Sequence, residues 1–234
     1  MKFAVVSLII LAFGYCVSAQ TKDSNNGWES KPVDQWTDAD VKGILQNSAW
    51  SWRLEGRNVD SVPMGGMGTI RSELYATFSL ESALTVRLAA IRKRQLSEKY
   101  DAMNAKDKAA FNTKYKSRME CPLCAKFYIV AIGGESRTLK NQVTIQRRVK
   151  SIYLSNEKGE RRILANFSPQ NTPGSSALFF FPRKNEKGEP LLTADNTTLT
   201  FNFPYEPDDE PLMRLIERVE IKVKDIVRDK TVIF

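Results

Sequence analysis

The chain has 234 residues, 35 lysines and arginines against 27 acids, a formal charge of +8, three cysteines and no histidine. Without imidazole there is no Ser-His-Asp or Cys-His nucleophile, no histidine-liganded zinc or haem, and no imidazole acid–base catalyst. Three cysteines cannot staple so long a chain, so apolar packing has to carry the fold.

Residues 1–19, MKFAVVSLIILAFGYCVSA, join a basic Lys2, an apolar run over 3–13 and the small-residue end Val17-Ser18-Ala19. That order predicts a signal peptide cut before Gln20, and a periplasmic or secreted protein. A lipoprotein anchor at Cys16 needs a small residue before it, and Tyr15 is bulky. No later apolar run has the length of a transmembrane span. Cleavage removes Lys2 and no acid, so the charge falls from +8 to +7. Residues 20–35 are polar and read as a flexible leader. Residues 36–234 read as a single α+β domain, helical over 36–120 and β-rich over 126–234.

The domain opens with WTDADVKGILQNSAWSW. Thr37 is suited to cap a helix, with Asp40 three residues on as in a capping box. Val41, Ile44 and Leu45 then share a face. Trp36, Trp50 and Trp52 read as residues that pack this helix onto the body; the alternative is an aromatic platform for sugars or peptides. Residues 56–68, GRNVDSVPMGGMG, read as a loop. Its Met64 and Met67 are soft enough for Cu(I), and more simply are loop residues. TIRSELYATFSL alternates with the period of a strand. From Glu81 the period becomes helical, through Leu84, Leu88 and Ile91, and with some drift through Leu96, Tyr100 and Met103. Asn104 breaks it and caps a second helix over 105–118, with Phe111 and Tyr115 on the apolar side. The pair forms an αα-hairpin.

AKFYIVAIGG predicts a strand closed by glycines, and TLKNQVTIQRRV a short helix. KSIYLS and ERRILANF flank NEKG, a hairpin signal with Gly159 available for positive φ. SALFFFP reads as a buried strand stopped by Pro182. TTLTFNF and RVEIKVKDIV alternate, and TVIF forms a last strand. So many strands after residue 126 predict an antiparallel sheet or small β-sandwich, with the basic αα-hairpin packed on it.

Cys121 and Cys124 stand in RMECPLCAKFYIV. Thioredoxin-like enzymes place C-x-x-C after a strand and at the start of a helix, whose N-terminus lowers the thiol pKa. Here a helix ends near Arg118 and a strand begins near Lys126. Zinc needs four ligands, and two cysteines without histidine supply half. The favoured reading is a local disulfide made in an oxidising compartment. A redox couple stays open, with Cys121 as nucleophile and Cys124 as resolving thiol.

From Arg87 to Lys126 there are eleven basic residues and four acids, Glu98, Asp101, Asp107 and Glu120, a local excess of +7. Arg87, Arg92, Lys93, Arg94, Lys99, Lys106, Lys108, Lys114, Lys116 and Arg118 are the candidate patch for an anionic envelope surface or an acidic protein. A solvated helix face is the plainer reading. Export argues against nucleic acid. YEPDDEPL gathers Glu206, Asp208, Asp209 and Glu210 without EF-hand spacing, and reads as a solvated turn in preference to a calcium site. Asn166 and Asn196 stand in N-x-S/T contexts, Asn166 with Pro169 close behind.

The anchors W-T-D-A-D-V-K-x-I-L-x-x-S-x-W, S-L-E-S-A-L, F-Y-I-V-A-I, A-L-F-F-F-P-R and V-K-D-I-V together resemble a group of uncharacterised exported proteins from Acidobacteria-like soil bacteria. The resemblance covers most of 36–234 and implies export and a shared fold. It brings no activity, no cofactor and no catalytic residue, and C-P-L-C is not among its anchors. The expectation is therefore a non-catalytic envelope or secreted binding or structural module. The rivals are an envelope thiol-disulfide oxidoreductase and a glycan hydrolase built on two facing carboxylates.

Overall fold

The computed structural model describes residues 27–60, 70–172, 174–228 and 231–232. The expected signal peptide, most of the leader, and Met64 and Met67 lie outside them. Folded structure begins earlier than the leader reading allows. Trp28 is buried at 5 % exposure against Trp36 and Trp50, with ring centroids 5.9 and 6.2 Å away. An indole has too much apolar surface to leave in water when a neighbouring pair can cover it. The same burial removes Trp36 and Trp50 as a platform for sugars or peptides. Trp52 is half-buried and stacks on Phe78 at 4.8 Å.

Helix α1, Asp38–Gln46, starts at the expected capping box. Thr37 Oγ1 accepts from the Asp40 N–H at 3.2 Å, and the Asp40 carboxylate accepts from the Thr37 N–H at 2.9 Å. Strands β1, Ser51–Asp60, and β2, Ile70–Leu80, pair antiparallel from Ser51↔Ser79 to Asp60↔Ile70. The stretch 56–60, expected in a loop, therefore belongs to β1. Its polar sequence hides the strand, which is imposed by ten residues of cross-strand pairing with β2.

Helix α2, Leu84–Ser97, and helix α3, Ala105–Glu120, form the αα-hairpin, with Asn104 capping α3 as expected. The buried face of α2 is rotated from the expected stripe. Leu84 is 41 % exposed, while Val86 and Ala89 are fully buried and Ile91 nearly so. Small Ala83 and Ala89 let the backbone approach the core closely, which a leucine there would prevent. On α3 only Phe111 is buried. It sits between Tyr100 at 4.9 Å and Tyr115 at 4.5 Å.

Strand β3, Phe127–Gly133, follows, then helices α4, Arg137–Lys140, and α5, Gln142–Arg147. One helix was expected here. It breaks because Asn141 turns extended and its side chain caps α5 by accepting from the Thr144 N–H at 3.1 Å. Strands β4, Tyr153–Asn156, and β5, Arg161–Ile163, make the expected hairpin with Gly159 at φ +81°. Strands β6, Asn166–Ser168, β7, Ala177–Pro182, and β8, Thr198–Asn202, are followed by helix α6, Leu212–Leu215. Strand β9, Arg218–Lys222, leads to a short ribbon of β10, Val227–Arg228, and β11, Thr231–Val232.

The strands form two main antiparallel sheets, ordered β1-β2-β3-β7-β6 and β5-β4-β8-β9. The first sheet joins strands from both halves of the chain, so the helical and β-rich stretches share one core. The sheets meet through phenylalanines. Phe201 of β8 lies 5.8 Å from Phe78 of β2 and 5.6 and 6.0 Å from Phe179 and Phe181 of β7. This is an α+β fold, with the basic hairpin beside a two-sheet core. Gly134, at φ +135°, turns the chain out of β3. A Cβ there would stand 3.2 Å from the Tyr75 carbonyl oxygen and 2.9 Å from Leu212, so both conformation and space demand glycine.

Candidate functional site

Three places carry chemistry: the cysteine corner, the basic hairpin and a polar cleft. At the corner, Cys121 ends α3 in the left-handed region at φ 40°, and a 3₁₀ turn, Pro122–Ala125, leads into β3. The two Cα atoms are 5.3 Å apart and the sulfurs are bonded. Cys124 is buried at 6 % exposure against Ile129 and Phe180, on the face of the first sheet opposite the main core. Its carbonyl accepts from Arg183 Nε at 2.6 Å. Burial lowers the Arg183 pKa, and the Tyr128 ring lies 4.7 Å below its guanidinium.

The ten cations of the hairpin separate into distinct environments. Arg87 and Arg92 do not face outward, being 7 % and 5 % exposed. Arg87 Nη1 donates to the Met119 carbonyl in the last turn of α3, where a cation meets unsatisfied helix carbonyls. Arg92 clamps Asp101 with two bonds of 3.0 Å and donates Nε to the Trp36 carbonyl. That bidentate contact holds the Asp101 pKa below the usual carboxylate range. Both arginines are thus buried and structural: Arg92 is fully engaged, while Arg87 keeps a buried Nε without a hydrogen-bond partner among the described residues. Lys114, Lys116 and Arg118 pair with Glu98, Glu120 and Glu81 at 3.5, 3.7 and 3.5 Å. Lys108 reaches the Asp101 carbonyl and the Tyr100 ring. Lys93, Arg94, Lys99 and Lys106 remain exposed and without a salt bridge among the described residues. All four lie where α2 turns into α3. Fifteen residues of α3 separate Lys106 from Cys121, about 22 Å at the helical rise. The free charge is therefore at the tip and the disulfide at the base.

The third place overturns the expectation of a solvated acidic turn. The loop over 205–211 faces α4 and α5 across a cleft of about 460 Å³. At its floor Arg148 is buried, with Nη1 2.6 Å from Asp209 and Nη2 2.6 Å from Glu206. The Asp209 side chain is 1 % exposed and also accepts from the Glu206 N–H at 2.8 Å. Glu210 accepts from the Arg137 N–H at 2.8 Å, from Arg137 Nε at 3.1 Å and from the Ser136 hydroxyl at 3.0 Å. The Thr138 hydroxyl lies 3.1 Å from Asp209 and 3.0 Å from Glu210, and its single proton serves one at a time. Burial alone pushes the Glu210 carboxyl up; its hydrogen bonds outweigh that and bring it down to about 2. Among the described residues no cluster of three or more acids or cysteines is arranged to hold a metal ion.

Arg148 was missed in sequence because the acids it needs are 58 and 61 residues away. A signal was present: Ile145, Arg148 and Ile152 stand three and four apart, and both isoleucines are buried, so the arginine occupies a core position. Asn196 is buried at 6 % exposure and donates to Glu157 at 2.9 Å, so its side chain is committed inside the fold. No helix among the described residues is long and apolar enough to cross a membrane. No family model matches the chain, and neither a curated protein nor a solved structure matches it.

Proposed function

We propose that this protein is an exported, non-catalytic binding module that meets an anionic envelope surface through the tip of the α2–α3 hairpin. The supporting observation is the sorting of charge. Arg87 and Arg92 are buried, Lys108, Lys114, Lys116 and Arg118 each have a carboxylate or carbonyl neighbour at the surface, and Lys93, Arg94, Lys99 and Lys106, without a salt bridge among the described residues, are left together at the turn. Interspersed lysines near an anionic bilayer each contribute about 1 kcal/mol within a Debye length. Export rests on the leader at 1–19, and N-terminal sequencing of the secreted or periplasmic product is expected to begin at Gln20.

The test is sedimentation with vesicles of phosphatidylglycerol or phosphatidylcholine at low and high salt. Binding is expected to the anionic vesicles only, to weaken with salt, and to fall by about two to three orders of magnitude at low salt on changing Lys93, Arg94, Lys99 and Lys106 to Gln, at about 1 kcal/mol per cation. Equal sedimentation with both lipids ends the proposal.

The thiol-disulfide oxidoreductase is the second reading, kept for the C-P-L-C sequence. Against it, Cys121 sits at the C-terminal end of α3, where helix carbonyls disfavour a thiolate. Cys124 is buried. A structural bridge is expected to have a reduction potential below about −300 mV, and a catalytic one a higher value.

A further inference from the structure

The polar cleft takes no part in the hairpin reading, and its walls carry opposite charge. Arg137, Arg147 and Arg148 stand on the side of α4 and α5, and four acids on the loop opposite. Five of these charges are paired, Arg148 with Asp209 and Glu206 at the floor, and Arg137, itself 91 % exposed, with Glu210. Two are not. Arg147 and Asp208 are exposed, and neither side chain has a salt bridge or hydrogen bond among the described residues. The cleft volume of about 460 Å³ falls within the range of small-molecule sites, about 300–1,000 Å³. No apolar side chain lines it, so an apolar ligand gains nothing there.

Charge selects what does fit. The lining holds three arginines and four acids, so a simple anion drawn to Arg147 meets a net negative surface, and a simple cation drawn to Asp208 meets the unpaired Arg147. A molecule with opposite charges at its two ends is attracted by both walls. We propose that this cleft binds a small zwitterion of the amino-acid or short-peptide class, its carboxylate on Arg147 and its ammonium on Asp208.

Calorimetry of the full chain with dialanine, N-acetyl-dialanine and dialanine amide tests this at low salt. Dialanine is expected to bind saturably and about tenfold tighter than either blocked form, the worth of one charge-assisted contact. Arg147→Gln is expected to lose discrimination against the amide, and Asp208→Asn against the acetylated form. Both residues are exposed and outside the buried ion pairs, and unchanged thermal melting of each variant confirms that the fold is intact. Absence of saturable dialanine binding, equal binding of the three peptides, or unaltered selectivity in both variants overturns the proposal.

Discussion

Arg148 Nη1 lies 2.6 Å from Asp209 Oδ2, with side chains 8 % and 1 % exposed, and joins the end of α5 to the loop before α6. Removing Asp209 leaves Arg148 Nη1 buried without its acceptor, with only the half-exposed Glu206 still on Nη2, and costs about 3 kcal/mol. Asp209→Ala is expected to lose that much in urea unfolding. Glu206 also contacts Arg148, but its side chain is 52 % exposed and water can replace it. Glu206→Ala is expected to cost about 1 kcal/mol or less. Equal losses in the two variants would contradict this division of roles.

Glu210 makes stability depend on pH. Its carboxyl ionises near 4.5 in the unfolded chain and near 2 in the folded one. A depressed folded value means that the charged form is the one the fold stabilises, so the contribution is complete above about pH 4.5 and disappears as pH falls toward 2. Its side chain is partly exposed, which screens the gain, and Glu210→Gln is expected to cost about 2 kcal/mol at neutral pH. The difference between wild type and variant should shrink steadily across that acid window in denaturant titrations. A difference that persists undiminished at the bottom of the window would show that the charge on Glu210 is not what the fold uses.

Local signals in the sequence were legible where they act locally. The Thr37 cap, the Asn104 cap, the Gly159 turn and the Pro182 stop each depend on residues within a few positions, and the structure places each where the pattern requires. What sequence did not disclose needs distant partners. The first sheet takes β1 and β2 from the helical half and β7 from the β-rich half, a pairing that no short window contains. The same holds for the cleft: Asp209 reads as a solvated acid until Arg148, 61 residues away, is placed against it. The basic patch was legible in composition and not in geometry, because the acids that neutralise Lys114 and Arg118, and the carbonyl that takes Arg87, are 16, 37 and 32 residues distant.

Phe201 links the two sheets, touching Phe78, Phe179 and Phe181 while fully buried. Truncation forfeits its transfer free energy and leaves a cavity between layers that cannot close without moving both sheets. Phe201→Ala is expected to cost about 3–5 kcal/mol. Ile163, on the edge strand β5, is 50 % exposed, and Ile163→Ala is expected to stay within about 0.5 kcal/mol. Chemical denaturation of both variants checks the contrast, and a comparable loss at Ile163 would mean that this edge is covered in solution.

The disulfide closes a loop of only four residues, so chain entropy assigns it about 2 kcal/mol. The corner has other supports. The Cys121 N–H donates to the Ser117 carbonyl at 3.0 Å, Arg87 holds the Met119 carbonyl, and Arg183 holds the Cys124 carbonyl. The double variant Cys121→Ser, Cys124→Ser is therefore expected to fold, to lose about 2 kcal/mol, and to exchange amide hydrogens faster only in the last turn of α3 and over 121–126. Residues 127–132 of β3 pair with β7 and residues 130–133 also with β2, and the amides of β3 should keep their protection relative to the global unfolding free energy. Loss of that protection throughout β3 would show that the bridge supports the first sheet and not merely its corner.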